Sequence, residues 1–466
     1  MEIKTIHGAV PGMETYTGIP EELKLAVLEK IKPSEAEKKK LLEIQEELAA
    51  EVKAAAEKLG VSGVLVKMVG SAARGTWLSG THDIDVFISF PEETPRKDLE
   101  TLGMAIAREV AKHAEYAEDR HAEHPYLNII FKGFDVDLVP CFRVASASRI
   151  KSAVDRTPFH NDFVKARIKG HEDEVLFLKQ FMRGSGVYGS ELKTQGFSGY
   201  LTELLIIHYG SFDKVIEAAC SWKPGEKIDI MQHSEIENEE PLVMVDPTDP
   251  RRNVAAALSL DKFCMFIDSC REFVKNPELK FFFPAPLPPL EDREILDRLE
   301  SRKSTQLAVV FKTPNVVEDV LYPQLYKMEQ STATLLKEYD FSMIKTGVWS
   351  GKNETVIMLE LISGTLPNVK KHIGPPVWVR THAEKFKEKY EGAENVFGGY
   401  IENGKYVFEI RRKYPMAKGL LENQLMHCSV GKHVCQSVSE AFEIIENAEI
   451  CRLKDFDFRV FLRKWM

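Results

Sequence analysis

The sequence predicts an α+β chain of several domains: a small mixed sheet with flanking helices, then a helical middle, then an α+β C-terminal region. Three observations predict it. The chain has 466 residues, about three domains at roughly 150 residues each. Short β-branched runs mixed with amphipathic stretches occupy the first and last thirds, whereas helical spacing dominates between them. The prolines of Phe281-Phe282-Phe283-Pro284-Ala285-Pro286-Leu287-Pro288-Pro289 continue neither a helix nor a central strand and mark a linker. The predicted domains are 1–150, 151–283 and 291–466.

The elements follow in order. Ser34 and Glu37 form a capping-box pattern, and Leu41, Leu42, Ile44, Leu48 and Val52 continue at helical spacing towards Gly60. Strands are predicted over 64–69 and 83–90, a helix over 97–113, and two further strands over 127–131 and 134–139, joined by a tight Lys132-Gly133 turn. In the middle, 173–182 carries Val175, Leu176, Leu178 and Phe181 on one side, and 200–208 is a second apolar helix. Beyond the linker, 307–311 and 355–362 read as strands, and Asn403-Gly404 centres a hairpin.

Composition narrows the classes. Hydrophobic residues make up 44% and charged residues 29%, enough for a globular core. The greasiest stretch, Leu204 to Ile207, stops at His208, so no membrane span is expected. The opening MEIKTIHGAVPGMETY lacks the apolar core of a secretory signal. Seven scattered cysteines argue against a disulfide framework and for a reducing, cytoplasmic compartment. The net charge of −9 hides two basic stretches: 143–170, with seven Lys or Arg against two Asp, and 364–420, with eleven against six Glu, each a net of +5. Charge alone makes each a solvated face unless a nearby site needs phosphates.

Residues two apart on a strand share a face, so Asp83 and Asp85 point together while Ile84, Val86 and Ile88 turn to the core. Asp135 and Asp137 repeat the pattern. Aspartate is depleted in strands, and two such pairs on adjacent strands would repel unless a divalent cation, suited to hard oxygen ligands, sits between them. Gly70-Ser71 directly after a strand lets the backbone approach an anion, and Arg74 falls on the same side of the following helical turn.

Gly70-Ser71-x-x-Arg74-Gly75-Thr76, Asp83-x-Asp85 and Asp137-Leu138-Val139-Pro140 together resemble the catalytic core of the DNA polymerase β-like nucleotidyltransferase superfamily. SAVDRTPFH (152–160), VYGSELKTQGFSGYLTELLI (187–206) and RRNVAAALSLDKF (251–263) resemble, more narrowly, the archaeal class I CCA-adding enzymes, which are tRNA nucleotidyltransferases. The likeness covers about the first 330 residues and is diffuse beyond them.

The resemblance implies a polymerase β-like head with a small mixed sheet, a helical middle domain and an α+β C-terminal RNA-binding region. It implies a two-metal Mg²⁺ site on Asp83, Asp85 and Asp137, with Asp135 in support, and triphosphate contacts from Ser71 and Arg74. His160, Lys179 and Tyr188 become nucleotide contacts; without the resemblance they read as a loop-capping histidine, an exposed helical lysine and a core tyrosine. Arg251 and Arg252 are candidates for the base pocket, Arg252 matching better. ATP and CTP are the implied substrates and tRNA the partner, lying along 143–170 and the C-terminal basic stretch, with Lys370, Lys371, Arg411 and Arg412 as phosphate contacts. His427, Cys428, His433 and Cys435 lack zinc-site spacing and fit an amphipathic helix carrying Val434, Val438, Phe442 and Ile445. A poly(A)-type polymerase shares the three carboxylates and stays open, as does a non-catalytic RNA-binding relative. The sequence leaves open whether the chain forms a homodimer.

Overall fold

Alternating apolar and polar residues between Leu65 and Arg143 build one five-stranded sheet. The computed structural model of the chain describes residues 16–121, 124–237 and 239–466, and the fold divides into two units between Ala285 and Pro286. In the first unit, α1 (Glu21–Ile31) precedes α2 (Glu35–Lys58). At the start of α2 the Glu37 amide donates to Ser34 Oγ and the Ser34 amide to Glu37 Oε2, closing the expected capping box. Then come β1 (Leu65–Val69), α3 (Gly70–Arg74), β2 (Asp83–Pro91), α4 (Arg96–Val110), β3 (Tyr116–His121), β4 (Pro125–Phe131) and β5 (Phe134–Arg143).

The sheet order is β1-β2-β5-β4-β3, with β2 parallel to β5 and the other pairs antiparallel. Lys132 and Gly133, both at positive φ, make the predicted two-residue turn. Strand β3 was not expected. Its Glu118, Asp119 and Arg120 hide the apolar alternation, as suits a charged edge strand. Ile84, Val86, Ile88, Val136 and Leu138 pack in one core with Leu48 and Val52 of α2 and Leu99 and Ile106 of α4.

The unit continues through α5 (Thr157–Lys165), α6 (Glu172–Gly184), α7 (Gly199–Tyr209), α8 (Phe212–Ala219), β6 (Glu226–Ile228), β7 (Leu242–Asp246), β8 (Asp249–Asn253) and α9 (Leu260–Lys275). The helical middle therefore also contains a three-stranded sheet, β6-β7-β8. Its strands are three to five residues long and β8 reads Asp-Pro-Arg-Arg-Asn, too short and polar to give a period-two signal. An aromatic cluster centres this part: the Phe181 ring lies 5.3–6.3 Å from Phe212, Phe266, Phe273, Phe281 and Phe282.

The second unit holds α10 (Asp292–Arg302), β9 (Thr305–Lys312), α11 (Glu318–Glu338), β10 (Met343–Ser350), β11 (Glu354–Leu361), β12 (Val369–Pro376), α12 (Arg380–Tyr390), β13 (Val396–Glu402), β14 (Lys405–Arg411), α13 (Ala417–Gln424), α14 (Lys432–Glu440), β15 (Phe442–Glu446) and α15 (Phe456–Trp465). One sheet runs β10-β11-β9-β15 and a second β12-β14-β13. Along β9, Leu307, Val309 and Phe311 enter one core while Ala308 and Val310 enter another, so both faces of the first sheet are covered. The predicted hairpin turn at Asn403-Gly404 is present, both residues at positive φ. The helix expected through Ile445 is shorter: α14 stops at Glu440, Ala441 is extended, and Phe442 and Ile445 lie in β15, where β9 supplies their backbone partners.

Helix α15 fastens the start of this unit. Arg459, almost fully buried, donates to the carbonyls of Leu290, Cys451 and Leu453 and to Asp292 Oδ1 at 2.6–2.8 Å. Arg463 donates to Pro288 O at 2.6 Å and to both Glu294 oxygens. All seven cysteines are free, and no helix among the described residues is long and apolar enough to cross a membrane. Truncating the centre of the aromatic cluster, Phe181→Ala, is expected to destabilise the protein by about 3–5 kcal/mol in urea unfolding. A loss below about 1 kcal/mol would mean that the neighbouring rings collapse into the gap.

Candidate active site

The parallel register sets Asp83 opposite Asp135 and Asp85 opposite Asp137. Four carboxylates thus share one sheet face, as the alternation predicted. Further along the same face lie Phe87, Val139 and Cys141, a buried apolar patch with Val69. Burial pushes the Asp85 carboxyl up to about 6, and the Asp137 charge beside it adds to the shift. Burial also raises Asp137, against a hydrogen bond from Asn128, and raises Asp83, where Asp135 reinforces it. Asn128 Nδ2 donates to Asp137 Oδ1 at 2.8 Å and to Asp135 Oδ1 at 2.5 Å, holding two like charges together. Sequence reasoning passed over Asn128. The signal was available, because a two-residue turn at 132–133 fixes the hairpin register that sets Asn128 opposite Asp137.

The Gly70–Arg74 turn is built against these acids. Gly70 has φ +77°, and a Cβ there would fall 2.0 Å from Asp85 Oδ2, so only glycine fits. Ser71 is half-buried in the turn. Arg74 has a partner that the sequence did not announce: Nε and Nη2 meet the Glu203 carboxylate at 2.9 Å, and Nη1 donates to Asn161 Oδ1 at 3.2 Å. Fully buried Glu203 also accepts from Thr76 Oγ1 at 2.5 Å. Lys179, read from its helix alone as exposed, is instead buried, donating to the Thr76 carbonyl at 2.7 Å. Burial pushes Lys179 down to about 8, with Glu203 opposing. Helical spacing could not reveal this, because α6 is covered on that side by the turn after α3.

Tyr188 lies under the Arg183 guanidinium, 5.3 Å from its ring centroid, and burial pushes it up to about 12. His160 sits in α5 rather than capping a loop; its ring stacks on Tyr200 with centroids 4.2 Å apart, and Nε2 lies 2.8 Å from Asp246 Oδ2. Burial lowers the His160 pKa against the pull of Asp246. Arg252 Nη1 donates to the same Asp246 oxygen at 2.8 Å, whereas Arg251 is largely exposed. Arg252 lines a cavity of about 600 Å³ with Arg156, Ser190, Ser198, Arg251 and Asn253. The groups form one electrostatic field: Arg74 lowers Asp85, Asp83 acts on Tyr188, and both Asp246 and Arg74 act on Tyr200.

The paired carboxylates, the glycine-serine turn packed on them and the buried Arg74 beside it all fall within the stretch matched by a nucleotidyltransferase family. The family described as nucleotidyltransferase domain matches residues 35–160, tRNA nucleotidyltransferase, second domain, matches 173–283, and CCA-adding enzyme, C-terminal domain, matches 302–447. The chain is 83% identical to the CCA-adding enzyme of Methanosarcina barkeri over 97% of its length and all of that protein. It is 40% identical to that of Methanoregula boonei over 91% of each chain, and 41% identical to that of Halobacterium salinarum over 88% of this chain and 90% of the relative. The chain belongs to the family of CCA-adding enzymes.

Because Asp85 ionises at about 6 rather than at its ordinary 3.8, the folded state loses stability as pH rises through that window. Asp85→Asn removes the buried charge. Without divalent cations it should raise the unfolding free energy by about 1–3 kcal/mol at neutral pH, a gain that vanishes below about pH 4. Urea unfolding at the two pH values checks this; an Asn variant no more stable than the parent at neutral pH would contradict it.

Proposed function

We propose that this chain adds and repairs the 3′-terminal CCA of tRNA, joining nucleotides from CTP and ATP to the RNA 3′-hydroxyl with release of diphosphate. The observation that carries it is the carboxylate face packed on the Gly70–Arg74 turn, in a chain similar to CCA-adding enzymes over nearly their whole length. The residues suit divalent cations. Their donors are hard carboxylate oxygens, and the repulsion from Asp137 that adds to the effect of burial on Asp85 is relieved by positive charge. Among the described residues no group of three His, Cys, Asp or Glu side chains is close enough to hold a metal ion by itself.

Asp83, Asp85 and Asp137 are assigned as the holders of two Mg²⁺ ions, with Asp137 nearest the attacking hydroxyl and Asp135 supporting it through Asn128. When bound, the ions would stabilise the attacking and leaving oxygens of in-line transfer at the α-phosphorus. Ser71 offers its hydroxyl and amide to the phosphates, and Arg74 and Lys179 supply the countercharge. Tyr188 and His160 border the sugar or base. Arg252 donates to a ring nitrogen of cytosine or adenine, which accept where uracil and guanine carry N–H. Such an enzyme works in the cytoplasm, where tRNA matures. The 143–170 stretch and the β12-β14-β13 sheet, with exposed Phe397 and Ile401 and half-exposed Tyr400, are assigned to the acceptor and T-arm side of tRNA, where shape and phosphates dominate recognition.

The deciding experiment supplies single labelled nucleotides to tRNA lacking its 3′ end. CTP alone should add two residues and ATP should follow only then; indiscriminate ATP tailing would favour a poly(A)-type activity instead. Asp137→Ala should abolish transfer with tRNA affinity nearly unchanged, and turnover above roughly a tenth of the parent's would count against a two-metal role.

Of the four C-terminal cations, Arg412 is already engaged, its guanidinium half-buried against Asp340 at 2.5 Å. Lys371 holds an exposed pair with Glu402 and lies 5.8 Å from the Tyr400 ring centroid, and Arg411 is exposed beside the Phe397 ring. The expected outcome for the triple change of Lys370, Lys371 and Arg411 to Ala is therefore a higher KM for tRNA with a weaker salt dependence and an unchanged nucleotide KM. Steady-state kinetics at two salt concentrations reads this out; an unmoved tRNA KM would return the RNA site to the first unit.

A further inference from the structure

Four side chains, three from separate elements and one from the β7–β8 turn, meet one buried carboxylate. Asp246, at the end of β7, has no exposed surface. Its Oδ2 accepts from His160 Nε2 of α5 and from Arg252 Nη1 of β8, each at 2.8 Å. Its Oδ1 accepts from the amide and hydroxyl of Thr248 at 2.9 and 2.8 Å, and the Tyr200 hydroxyl of α7 lies 3.5 Å away. Both oxygens are thus occupied by donors. Burial alone would raise this carboxyl, but the bonds from His160 and Thr248 prevail and hold it well below the usual carboxylate range.

Two consequences follow from an ionised, acceptor-only Asp246. His160 then donates its Nε2 proton to Asp246, and burial, which lowers its pKa, favours the neutral ring with Nδ1 as a lone-pair acceptor. Arg252 has one of its five N–H groups committed, which restricts the directions its fork can take, and it lines the 600 Å³ cavity. Direction matters there. A guanidinium free to rotate could donate to the carbonyl oxygens of uracil or guanine as readily as to the ring nitrogen of cytosine or adenine.

We propose that Asp246 is a positioning residue for nucleotide selection: it fixes the direction in which Arg252 presents its donors and the tautomer of His160, so that a base is chosen without a template. The proposal rests on the assignment of Arg252 to the base. A purely structural Asp246 would serve only the β7–β8 turn, through Thr248.

The test compares CTP with UTP, by kcat/KM, on tRNA lacking its 3′ end, for Asp246→Asn, Arg252→Gln, the double variant and Thr248→Val. Asp246→Asn and Arg252→Gln should each lower the preference for CTP by about tenfold or more, because a hydrogen-bonding site rejects the wrong edge only while its groups stay aligned. The double variant should select no worse than Arg252→Gln alone, and the loss should reside in the KM for CTP rather than the KM for tRNA. Thr248→Val, which breaks only the turn's hydroxyl bond, should select as the parent does. An unchanged preference in Asp246→Asn while Arg252→Gln has lost its own would overturn the positioning role alone. So would losses that multiply in the double variant, or a Thr248→Val variant that selects as poorly as Asp246→Asn. If Arg252→Gln keeps the parent's preference, the base-reading assignment itself falls, and this proposal with it. Should Asp246→Asn fail to fold, ¹⁵N spectra of the His160 ring in the parent decide: a neutral ring protonated on Nε2 at pH 7 is expected, and a charged ring or an Nδ1–H tautomer would overturn the proposal.

Discussion

Four carboxylates on two neighbouring parallel strands repel one another, and the first unit is arranged to hold them together. The β2–β5 register sets the acids side by side. The apolar patch of Phe87, Val139 and Cys141 further along the same face removes water and strengthens every charge interaction there. Asn128 ties two of the acids with one amide, and Gly70 lets the backbone of the next turn touch a third. Arg74, Arg183 and Arg120 each bring positive charge to bear on one of the acids, Asp85, Asp83 and Asp137 in turn. Held in this way, the face concentrates negative charge that a bound cation would offset.

Two buried carboxylates outside that face do the converse. Glu203 grips Arg74 and Thr76, and Asp246 grips Arg252 and His160. Burying such ions gives little net stability, since packing apolar groups of the same volume is often as good or better. What the pairs provide is orientation: each turns long, rotatable side chains into groups with one direction. Helices α6 and α7 are thereby connected through Lys179, Thr76 and Glu203 to the turn that follows β1.

The acidic face was legible because a strand's period of two is strict and aspartate in it is conspicuous. The capping box at Ser34 and the turns at Lys132-Gly133 and Asn403-Gly404 were legible for the same reason, since local chemistry sets them. Glu203 and Asp246 were not. One sits inside an apolar helix and the other ends an apolar strand, and nothing local distinguishes a carboxylate that will find an arginine 129 residues away from one facing water. Lys179 misled for that reason too. The β6-β7-β8 sheet was missed, β6 and β8 because their pairing, rather than their composition, makes them strands, and α14 was drawn too long because the helical spacing of its valines happens to run on into β15.

The arginines of α15 bear on how the second unit comes into being on the ribosome. Arg459 and Arg463 bind carbonyls and carboxylates 167–175 residues earlier in the chain, and Trp465 and Leu462 fill the core beneath one face of its main sheet. That face stays uncovered while the nascent chain is still being elongated through residue 466. Closure is necessarily a late event with a long loop to shut, of the kind that folds slowly. The first unit closes loops as long, with Tyr16 and Ile19 bonding Asp213 194–197 residues later, but every residue it needs precedes Pro286. It can complete its core, and with it the acidic face, while the second is still emerging.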